Sequence, residues 1–336
     1  MKQSNQGEDR RIIKYSSSND IDMDSYDSYF KYVCVDALKQ KKEEKTPEEM
    51  LSMLNAGTIE NGIFHFNNAG ALFFAKDITK FNISHEIKMA RFKNGDGLDI
   101  IDRKVSHNTI ISLLNDVYLF FKRNTRISSV IVGMNRIDLE EYPFEVVREA
   151  IINAIAHRDY KISSSPITFY IYNNRIEIIS PGKLIPPLTV NNLDSANPIH
   201  RNKQICDIFS KTTYMEHYGT GIRRMKDKMD EEKLKEPEFE EVGEFFKVIL
   251  WARSEEDINP DLYKTNIKAL DKLGLNERQI KAYTLMVNEK KTFTIKSYLE
   301  CFKISKPTAL KDLNMMVELN LVIKSKKGRS NVYSAT

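Results

Sequence analysis

Three polar residues recur at every fourth position in the segment REAIINAIAHRDY: Glu149, Asn153 and His157. Four-residue spacing places their side chains on one face of a helix. The residues between them are alanine or isoleucine, so the helix is expected to be buried except for one polar stripe. Buried polar groups are costly unless they have partners. The stripe therefore requires a ligand, a metal ion or an internal hydrogen-bond network.

Two of these side chains suit chemistry on a phosphate. Glu149 is a candidate general base acting on a water molecule. Asn153, one helical turn further on, can offer its amide oxygen to Mg²⁺, which prefers oxygen ligands and is usually shared with substrate phosphates. The alternative is an internal hydrogen-bond network that caps a packed helix, and both interpretations fit the spacing.

Two later segments favour a ligand. Ile167–Ile179 predicts a β-hairpin, because two runs of β-branched and aromatic residues flank the turn pair Asn173–Asn174. The second run ends at Ser180-Pro181-Gly182. Further along, Gly219 and Gly221 stand one residue apart before a helical pattern. Such a loop exposes backbone N–H groups and a helix N-terminus that can bind phosphate.

In this order, the motifs resemble a divergent branch of the GHKL ATPase superfamily, which includes gyrase, heat-shock chaperones, histidine kinases and mismatch-repair proteins. More narrowly, the chain is similar to ATP-binding transcriptional regulators with C-terminal helix-turn-helix domains. The resemblance spans roughly residues 45–250. It is carried by the ExxxNxxxH helix, the strand ending in SPGKL, Arg201-Asn202, Tyr218–Met225, Phe66–Phe74 and Ala90–Lys93.

The resemblance implies a role for each matching residue. Glu149 would position the hydrolytic water, and Asn153 would bind Mg²⁺. The expected ATP-binding residues are Asn153, His157, Ser180, Gly182, Gly219, Thr220 and Gly221. Gly182 would lie under the adenine, and the glycines of the loop would close over the phosphates. The superfamily normally reads adenine with an aspartate, and in this chain Ser180 stands in its place.

Composition indicates a cytoplasmic protein of two or three domains. The 336 residues contain no apolar run that approaches the roughly 18 residues of a membrane span, and no apolar stretch for a signal peptide follows the N-terminus. The three cysteines are widely spaced, which argues against a disulfide framework or a cysteine-rich zinc site. No pair of histidines is separated by three residues, so a dedicated catalytic metal site is not expected.

The predicted fold class is α+β with three parts. Residues 1–130 form an N-terminal α/β module, in which residues 1–20 are expected to be mobile, strands lie near 63–75 and 85–93, and a helix covers 107–122. Residues 131–252 form a Bergerat-like α/β sandwich, and residues 253–274 form a linker. Members of this branch commonly begin with a Schlafen-AlbA-type domain; the chain is expected to start after it, with Arg11–Asn19 matching its tail.

Residues 275–336 predict a winged helix. Helices are expected over Glu277–Asn288, Ile295–Phe302 and from Ser305 onward, followed by a two-stranded wing with a basic tip. From Asn276 to Thr336 there are 12 lysines and arginines against 5 acids, a net charge of +7, whereas the whole chain carries +4. Residues 1–275 therefore carry 4 − 7 = −3. The concentration of positive charge favours binding to the phosphate backbone of DNA.

Six residues are the expected DNA contacts: Lys306, Thr308, Lys311, Lys326, Lys327 and Arg329. The alternative for this module is protein docking with a solvated basic face. The function expected for the whole chain is transcriptional regulation by a homodimer on double-stranded DNA, with ATP and Mg²⁺ modulating DNA affinity. Two other interpretations stay open: a DNA-stimulated ATPase in nucleic-acid remodelling or defence, and a pseudo-ATPase scaffold that binds nothing.

Overall fold

Residues 7–132, 135–215, 220–254, 258, 274–288, 290–327 and 330–335 are described by a computed structural model. The chain divides into two units, one of Met1–Arg126 with Glu140–Arg253 and the other of Ile127–Leu139 with Ser254–Thr336. Helices and sheets are combined in the chain, which confirms the predicted α+β class. Across the described ranges, every helix is too short or too polar to cross a lipid bilayer.

A six-stranded sheet organises the first unit, in the order β4-β3-β7-β8-β10-β9. Its strands are β3 (Ile87–Phe92), β4 (Ile100–Ser106), β7 (Ile167–Ile171), β8 (Arg175–Pro181), β9 (Glu238–Val242) and β10 (Phe245–Trp251). Only β3 and β7 pair in parallel; the other neighbours are antiparallel. The predicted hairpin is present as β7 and β8. Along β7, Ile167, Phe169 and Ile171 are buried on one face, as the two-residue period of a strand requires.

Eight helices belong to the described part of this unit: α1 (Met23–Tyr32), α2 (Asp36–Lys42), α3 (Pro47–Met53), α4 (Asn68–Phe74), α5 (Ile110–Asn124), α6 (Phe144–His157), α7 (Lys203–Phe209) and α8 (Gly221–Glu231). The ExxxNxxxH segment lies on α6. Its alanines and isoleucines are buried in the core shared by helices and sheet, whereas Glu149, Asn153 and His157 are only partly buried. The predicted polar stripe on a buried helix is therefore present.

The prediction of a strand near 63–75 was wrong beyond Phe66. A short hairpin of β1 (Gly57–Glu60) and β2 (Ile63–Phe66) ends there, and α4 follows at once. The side chain of Asn67 accepts a hydrogen bond of 2.7 Å from the N–H of Gly70 and so starts the helix. A Cβ at Gly70 would come within 1.7 Å of the carbonyl oxygen of Ala56. The NNAG segment is thus a helix cap packed against backbone.

The expected mobility of residues 1–20 also needs correction for residues 7–20. The N–H of Ile13 donates to the carbonyl of Phe66, and Ile13 itself is buried. Asp9 is buried and accepts hydrogen bonds from the backbone N–H groups of Gln204 and Ile205, at 2.6 and 3.4 Å. Its carboxylate therefore caps the N-terminus of α7, which binds this segment to the core despite its polar composition.

The domain boundary expected at residue 130 separates strands that belong to one sheet. Strands β3 and β4 precede it, whereas β7 to β10 follow it, and all six form one sheet. The apolar residues on both sides of the boundary share one hydrophobic core. Predicted elements along the chain do not reveal that strands far apart in the sequence pair with each other.

The second unit contains α9 (Glu277–Asn288), α10 (Ile295–Phe302) and α11 (Lys306–Glu318), close to the predicted helices. Strands β11 (Phe293–Thr294), β12 (Val322–Lys327) and β13 (Ser330–Ala335) form a sheet in the order β11-β13-β12. Its core includes Ala309, Leu313, Tyr298 and Tyr333. Strands β5 (Ile127–Val132) and β6 (Asn135–Glu140) form a separate two-stranded sheet.

Candidate functional site: a cleft beside the polar face of α6

One cleft in the first unit brings together most of the predicted site residues. It is lined by Glu149, Asn153 and His157 of α6, by Ser180 and Gly182 at the end of β8, and by Gly221 at the start of α8. Thr220 directly precedes α8 as its N-cap residue, and its side chain makes no capping hydrogen bond. Gly219 lies outside the described residues. Segments far apart in the sequence thus meet at the polar stripe of α6.

The carboxylate of Glu149 marks one end of the cleft. Its Oε1 accepts a hydrogen bond of 3.2 Å from Nδ2 of Asn153, and its Oε2 lies 3.7 Å from a guanidinium nitrogen of Arg224. The Glu149 side chain is 13% exposed, so it reaches the cleft while most of it is packed. Because the hydrogen bond uses the amide nitrogen of Asn153, the Oδ1 of that amide, which could ligate a metal ion, is not part of it.

Gly221 brings the N-terminus of α8 against this carboxylate. A Cβ built at Gly221 would lie 2.0 Å from Oε1 of Glu149 and 2.9 Å from its Cδ. The helix N-terminus carries a partial positive charge and backbone N–H groups that lack helical partners. Arg224 and the N-terminus of α8 thus both face the Glu149 carboxylate at this end of the cleft, and the absence of a side chain at Gly221 allows the close approach.

Ser180 lines the cleft and also forms a hydrogen bond within the protein. Its buried hydroxyl donates a hydrogen bond of 2.8 Å to the carbonyl oxygen of Ala154. Helix α6 ends three residues later, so that carbonyl is among those that lack a partner within the helix. Ser180 thus joins β8 to the end of α6, and its only hydroxyl proton is used there.

Gly182 adopts a conformation that favours glycine, with φ of +116°. Its N–H donates to the carbonyl of Glu244, and the preceding Pro181 carbonyl accepts from the N–H of Asp159. A Cβ at Gly182 would lie 3.0 Å from both Cβ and N of Asp159. The SPG turn is therefore pressed against the residues that follow α6.

His157 lies at the far end of the stripe, where its ring stacks on that of His200 with 5.8 Å between centroids. Burial, with smaller contributions from His200 and Arg201, lowers the pKa of His157 to about 4. The imidazole is therefore neutral near pH 7 and can act as a hydrogen-bonding or stacking group.

The remaining walls are mostly apolar and were not predicted. They include Ile178, Leu184, Ile185, Leu188, Leu193, Met215, Ile222, Phe246 and Val248. Phe246 pairs with Ser180 and Val248 with Ile178 across the antiparallel strands β10 and β8. Phe246 and Val248, two positions apart on β10, therefore face the cleft together.

The donors around the cleft fit a nucleotide with Mg²⁺. Asn153 and Glu149 supply amide and carboxylate oxygens, the ligand type that Mg²⁺ prefers. The N-terminus of α8 and Arg224 suit phosphates, and the apolar walls suit a base. A few polar groups within a largely apolar cleft is the usual composition of a cofactor site.

In the second unit, three of the expected DNA contacts, Lys306, Lys311 and Lys326, have exposed side chains. Thr308 is half-buried, and its hydroxyl lies 2.8 Å from that of Ser305, the N-cap residue of α11. The side chain of Lys327 and all of Arg329 lie outside the described residues. Lys306, Lys311 and Lys326 thus face solvent.

Residues 164–250 match the family model HATPase_c_4, described as "Putative ATP-dependent DNA helicase recG C-terminal". They form an ATPase-like domain. The matched segment contains β7 to β9, all of β10 except Trp251, α7 and α8, and therefore the SPG turn and the Gly221 helix start. It begins after α6, so Glu149, Asn153 and His157 are assigned to the cleft by geometry and not by the match.

Among solved structures, the chain is similar to the crystal structure of the DIP2311 protein from Corynebacterium diphtheriae, with 20% sequence identity and a TM-score of 0.64. The similarity covers 100% of this chain and 65% of that one, so this chain spans less than two thirds of the other's length. At this identity the likeness concerns the fold. No curated protein gives a significant match.

Proposed function

We propose that this protein is a cytoplasmic, ATP-binding transcriptional regulator that binds double-stranded DNA through its C-terminal unit. The observation that carries the nucleotide part is the meeting of Glu149, Asn153 and Gly221 at one end of an apolar cleft. The ATPase-like domain at residues 164–250 supports it. The DNA part rests on the basic charge and element order of the second unit.

In this proposal each cleft residue has a separate task. Asn153 would hold Mg²⁺ through Oδ1, and the bound cation would neutralise phosphate charge. Glu149 would accept a proton from water, since its carboxylate is kept in place by Asn153 and Arg224. The N–H groups at the start of α8 would donate to the phosphates. The base would lie at the end formed by His157 and Gly182.

The second unit has the element order of a winged helix: helix, short strand, two helices and a two-stranded wing. In such a module α11 would enter the major groove, and β12 with β13 would contact the backbone. Lys306 and Lys311 stand on the exposed side of α11, and Lys326 on the wing. A homodimer would read two half-sites, which is the usual arrangement for helix-turn-helix proteins.

Calorimetric titration tests the nucleotide part directly. ATP with Mg²⁺, ATP with EDTA, and ADP with Mg²⁺ are titrated into the whole chain, and DNA affinity is then measured with and without each nucleotide. The proposal expects Mg²⁺-dependent ATP binding in the micromolar to millimolar range and a change in DNA affinity when ATP binds. Absence of heat and of any thermal shift at millimolar ATP and Mg²⁺ would exclude it.

A second candidate is a DNA-stimulated ATPase. The contact between Glu149 and Asn153 favours it, because a fixed carboxylate beside a metal-ligating amide is what hydrolysis needs. Steady turnover that rises when DNA is added would support this candidate over a regulator that only binds ATP. Binding without turnover would favour the regulator, and neither binding nor turnover would indicate a scaffold in which the polar stripe is structural.

A further inference from the structure

The C-terminus of α6 is capped by side chains from a distant segment. Asn202 donates from Nδ2 to the carbonyl oxygens of Ala156 and Arg158, at 3.0 and 2.7 Å. Arg201 donates from Nε to the carbonyl oxygen between them, that of His157, at 3.1 Å. Carbonyls at a helix end have no helical partner, so these bonds satisfy three groups that the fold would otherwise leave unpaired.

Arg201 extends this contact to the SPG turn. One terminal nitrogen lies 3.3 Å from Oδ2 of Asp159, and the other donates a 2.6 Å bond to the carbonyl oxygen of Lys183. A planar guanidinium has donors in a rigid fork, so a single arginine can hold three groups in fixed directions. Here these groups come from the end of α6, the residues after it and the turn after β8.

The position of Arg201 relates this brace to one end of the cleft. Arg201 lines the cleft together with His157, Gly182 and Leu184. Glu149 and the N-terminus of α8 form the other end, and the eight residue steps along α6 from Glu149 to His157 span about 12 Å. Because phosphates favour the end with the helix dipole and Arg224, the base must lie at the end that Arg201 shapes.

We propose that Arg201 is the positioning residue for the base end of the nucleotide cleft. Its guanidinium contacts two carbonyl oxygens and the Asp159 carboxylate. The side chains of Arg201 and Asp159 are 24% and 26% exposed. Arg201 therefore keeps the Gly182–Leu184 turn at a fixed distance from α6. A planar base inserts between the apolar walls at this place. The Asp159 carboxylate balances the charge of Arg201. This inference rests on the proposed function and assigns a residue to one part of the ligand.

Three probes separate the base end from the phosphate end: adenosine, ATP with Mg²⁺, and inorganic tripolyphosphate with Mg²⁺. For Arg201→Ala, affinity for adenosine and for ATP is expected to fall by the same factor, about 10-fold or more, as for lost hydrogen bonds to a charged group. Affinity for tripolyphosphate is expected to stay as in wild type. Arg224→Ala should give the opposite pattern, with tripolyphosphate and ATP weakened and adenosine unchanged.

Arg175→Ala is the matched control. Arg175 also has several partners, its side chain is 20% exposed, and it is not among the residues that line the cleft. It should leave the affinity for all three probes unchanged. Arg201→Lys keeps the charge beside Asp159 but lacks the forked donors of the guanidinium, so an intermediate loss of adenosine affinity is expected. If Arg201→Ala fails to fold, this variant tests the role of Arg201.

Each outcome separates the two proposals. If folded Arg201→Ala or Arg201→Lys binds adenosine as tightly as wild type while wild type binds ATP, the assignment of Arg201 is overturned and the proposed function stands. Equal weakening of tripolyphosphate and adenosine would also overturn it, because Arg201 would then support the whole cleft or bind phosphate. If wild type binds none of the three probes, the proposed function fails and this inference fails with it.

Discussion

Glu149 and Gly221, 72 positions apart in the chain, are in such close contact that a methyl group at Gly221 would overlap Oε1 of Glu149 at 2.0 Å. The carboxylate thus stands at the N-terminus of α8, where the helix dipole favours negative charge. Asn153 and Arg224 hold it from the other sides. The glycine loop was expected to lie close to the phosphates of a ligand. In the structure, Gly221 lies against the carboxylate of Glu149, the candidate general base.

Gly221→Ala should therefore act through Glu149. The added Cβ meets the flexible end of a side chain, so the carboxylate moves, and the free energy of unfolding is expected to change by about 1 kcal/mol or less, the size of the difference between glycine and alanine in a helix. Binding of ATP with Mg²⁺ should weaken, as calorimetry would record. In a double-mutant cycle with Glu149→Ala, the two stability changes should be clearly non-additive; additive effects would mean that the two residues do not interact.

Asn153→Ala should weaken ATP binding only when Mg²⁺ is present. The substitution removes the amide oxygen that can ligate the cation, and affinity in EDTA should match that of wild type. Titration at several Mg²⁺ concentrations measures this difference. Asn153→Asp serves as the comparison, because it restores an oxygen ligand. Equal loss of affinity with and without Mg²⁺ would show that Asn153 contacts the nucleotide directly or supports the fold.

Glu149→Gln should preserve ATP binding and remove any turnover. Glutamine keeps the shape of the side chain and can still accept from Asn153, but it cannot take a proton from water near pH 7. Phosphate release in single-turnover experiments measures the chemical step apart from binding. Turnover that survives in Glu149→Gln would assign the proton acceptor to another residue.

Stability should fall in acid partly because of His157. Its pKa is lowered to about 4 in the folded chain from an ordinary value of 6.5. Below pH 6.5 the unfolded chain binds a proton that the folded chain does not, so stability decreases as pH falls from 6.5 to 4. His157→Gln should flatten this part of the pH dependence in urea unfolding. An unchanged profile in His157→Gln would show that another group carries this pH dependence.

DNA binding should depend steeply on salt. If Lys306, Lys311, Lys326, Lys327 and Arg329 neutralise phosphates, about four to five contacts give a slope of log affinity against log salt near −4 per protomer. Fluorescence anisotropy of the whole chain on mixed-sequence DNA at several salt concentrations measures it. Lys306→Ala with Lys311→Ala should lower both the affinity and the magnitude of the slope.

Lys281→Ala provides the comparison for the DNA experiment, because Lys281 is exposed on α9 and is not among the predicted contacts. It should leave the slope unchanged. Binding that is absent or independent of salt would favour protein docking as the role of the second unit. Equal effects of Lys281→Ala and the α11 variants would indicate a diffuse electrostatic attraction without a defined surface.

Local signals in the sequence were sufficient for several elements. The helix expected from Ser305 onward is α11, and Ser305 accepts its capping hydrogen bond. The spacing of Glu149, Asn153 and His157 predicted a polar face on a buried helix, and the two runs around Asn173–Asn174 predicted a hairpin. Each of these features depends on residues within one turn of helix or one hairpin, so a short stretch of sequence specifies it.

The strand expected near 63–75 was wrong because the conformation of this segment depends on contacts with another part of the chain. FHFNNAGALFF is apolar enough for a strand, but α4 begins at Asn68 because Asn67 caps it and Gly70 fits against the backbone of Ala56. That space is defined by residues of another segment. The same reason explains the boundary placed at residue 130, since strand pairing across the sheet cannot be read from composition.

The sequence by itself thus determined the polar face of α6, the glycines of the cleft and the basic C-terminal module. Only the tertiary structure decided which groups meet. Asp9 caps α7 from 195 residues away, Ser180 donates to the end of α6, and Arg201 braces that end against the SPG turn. The physical reason is that unpaired carbonyls, N–H groups and charges must find partners once they are buried, and the partner is set by packing rather than by distance along the chain.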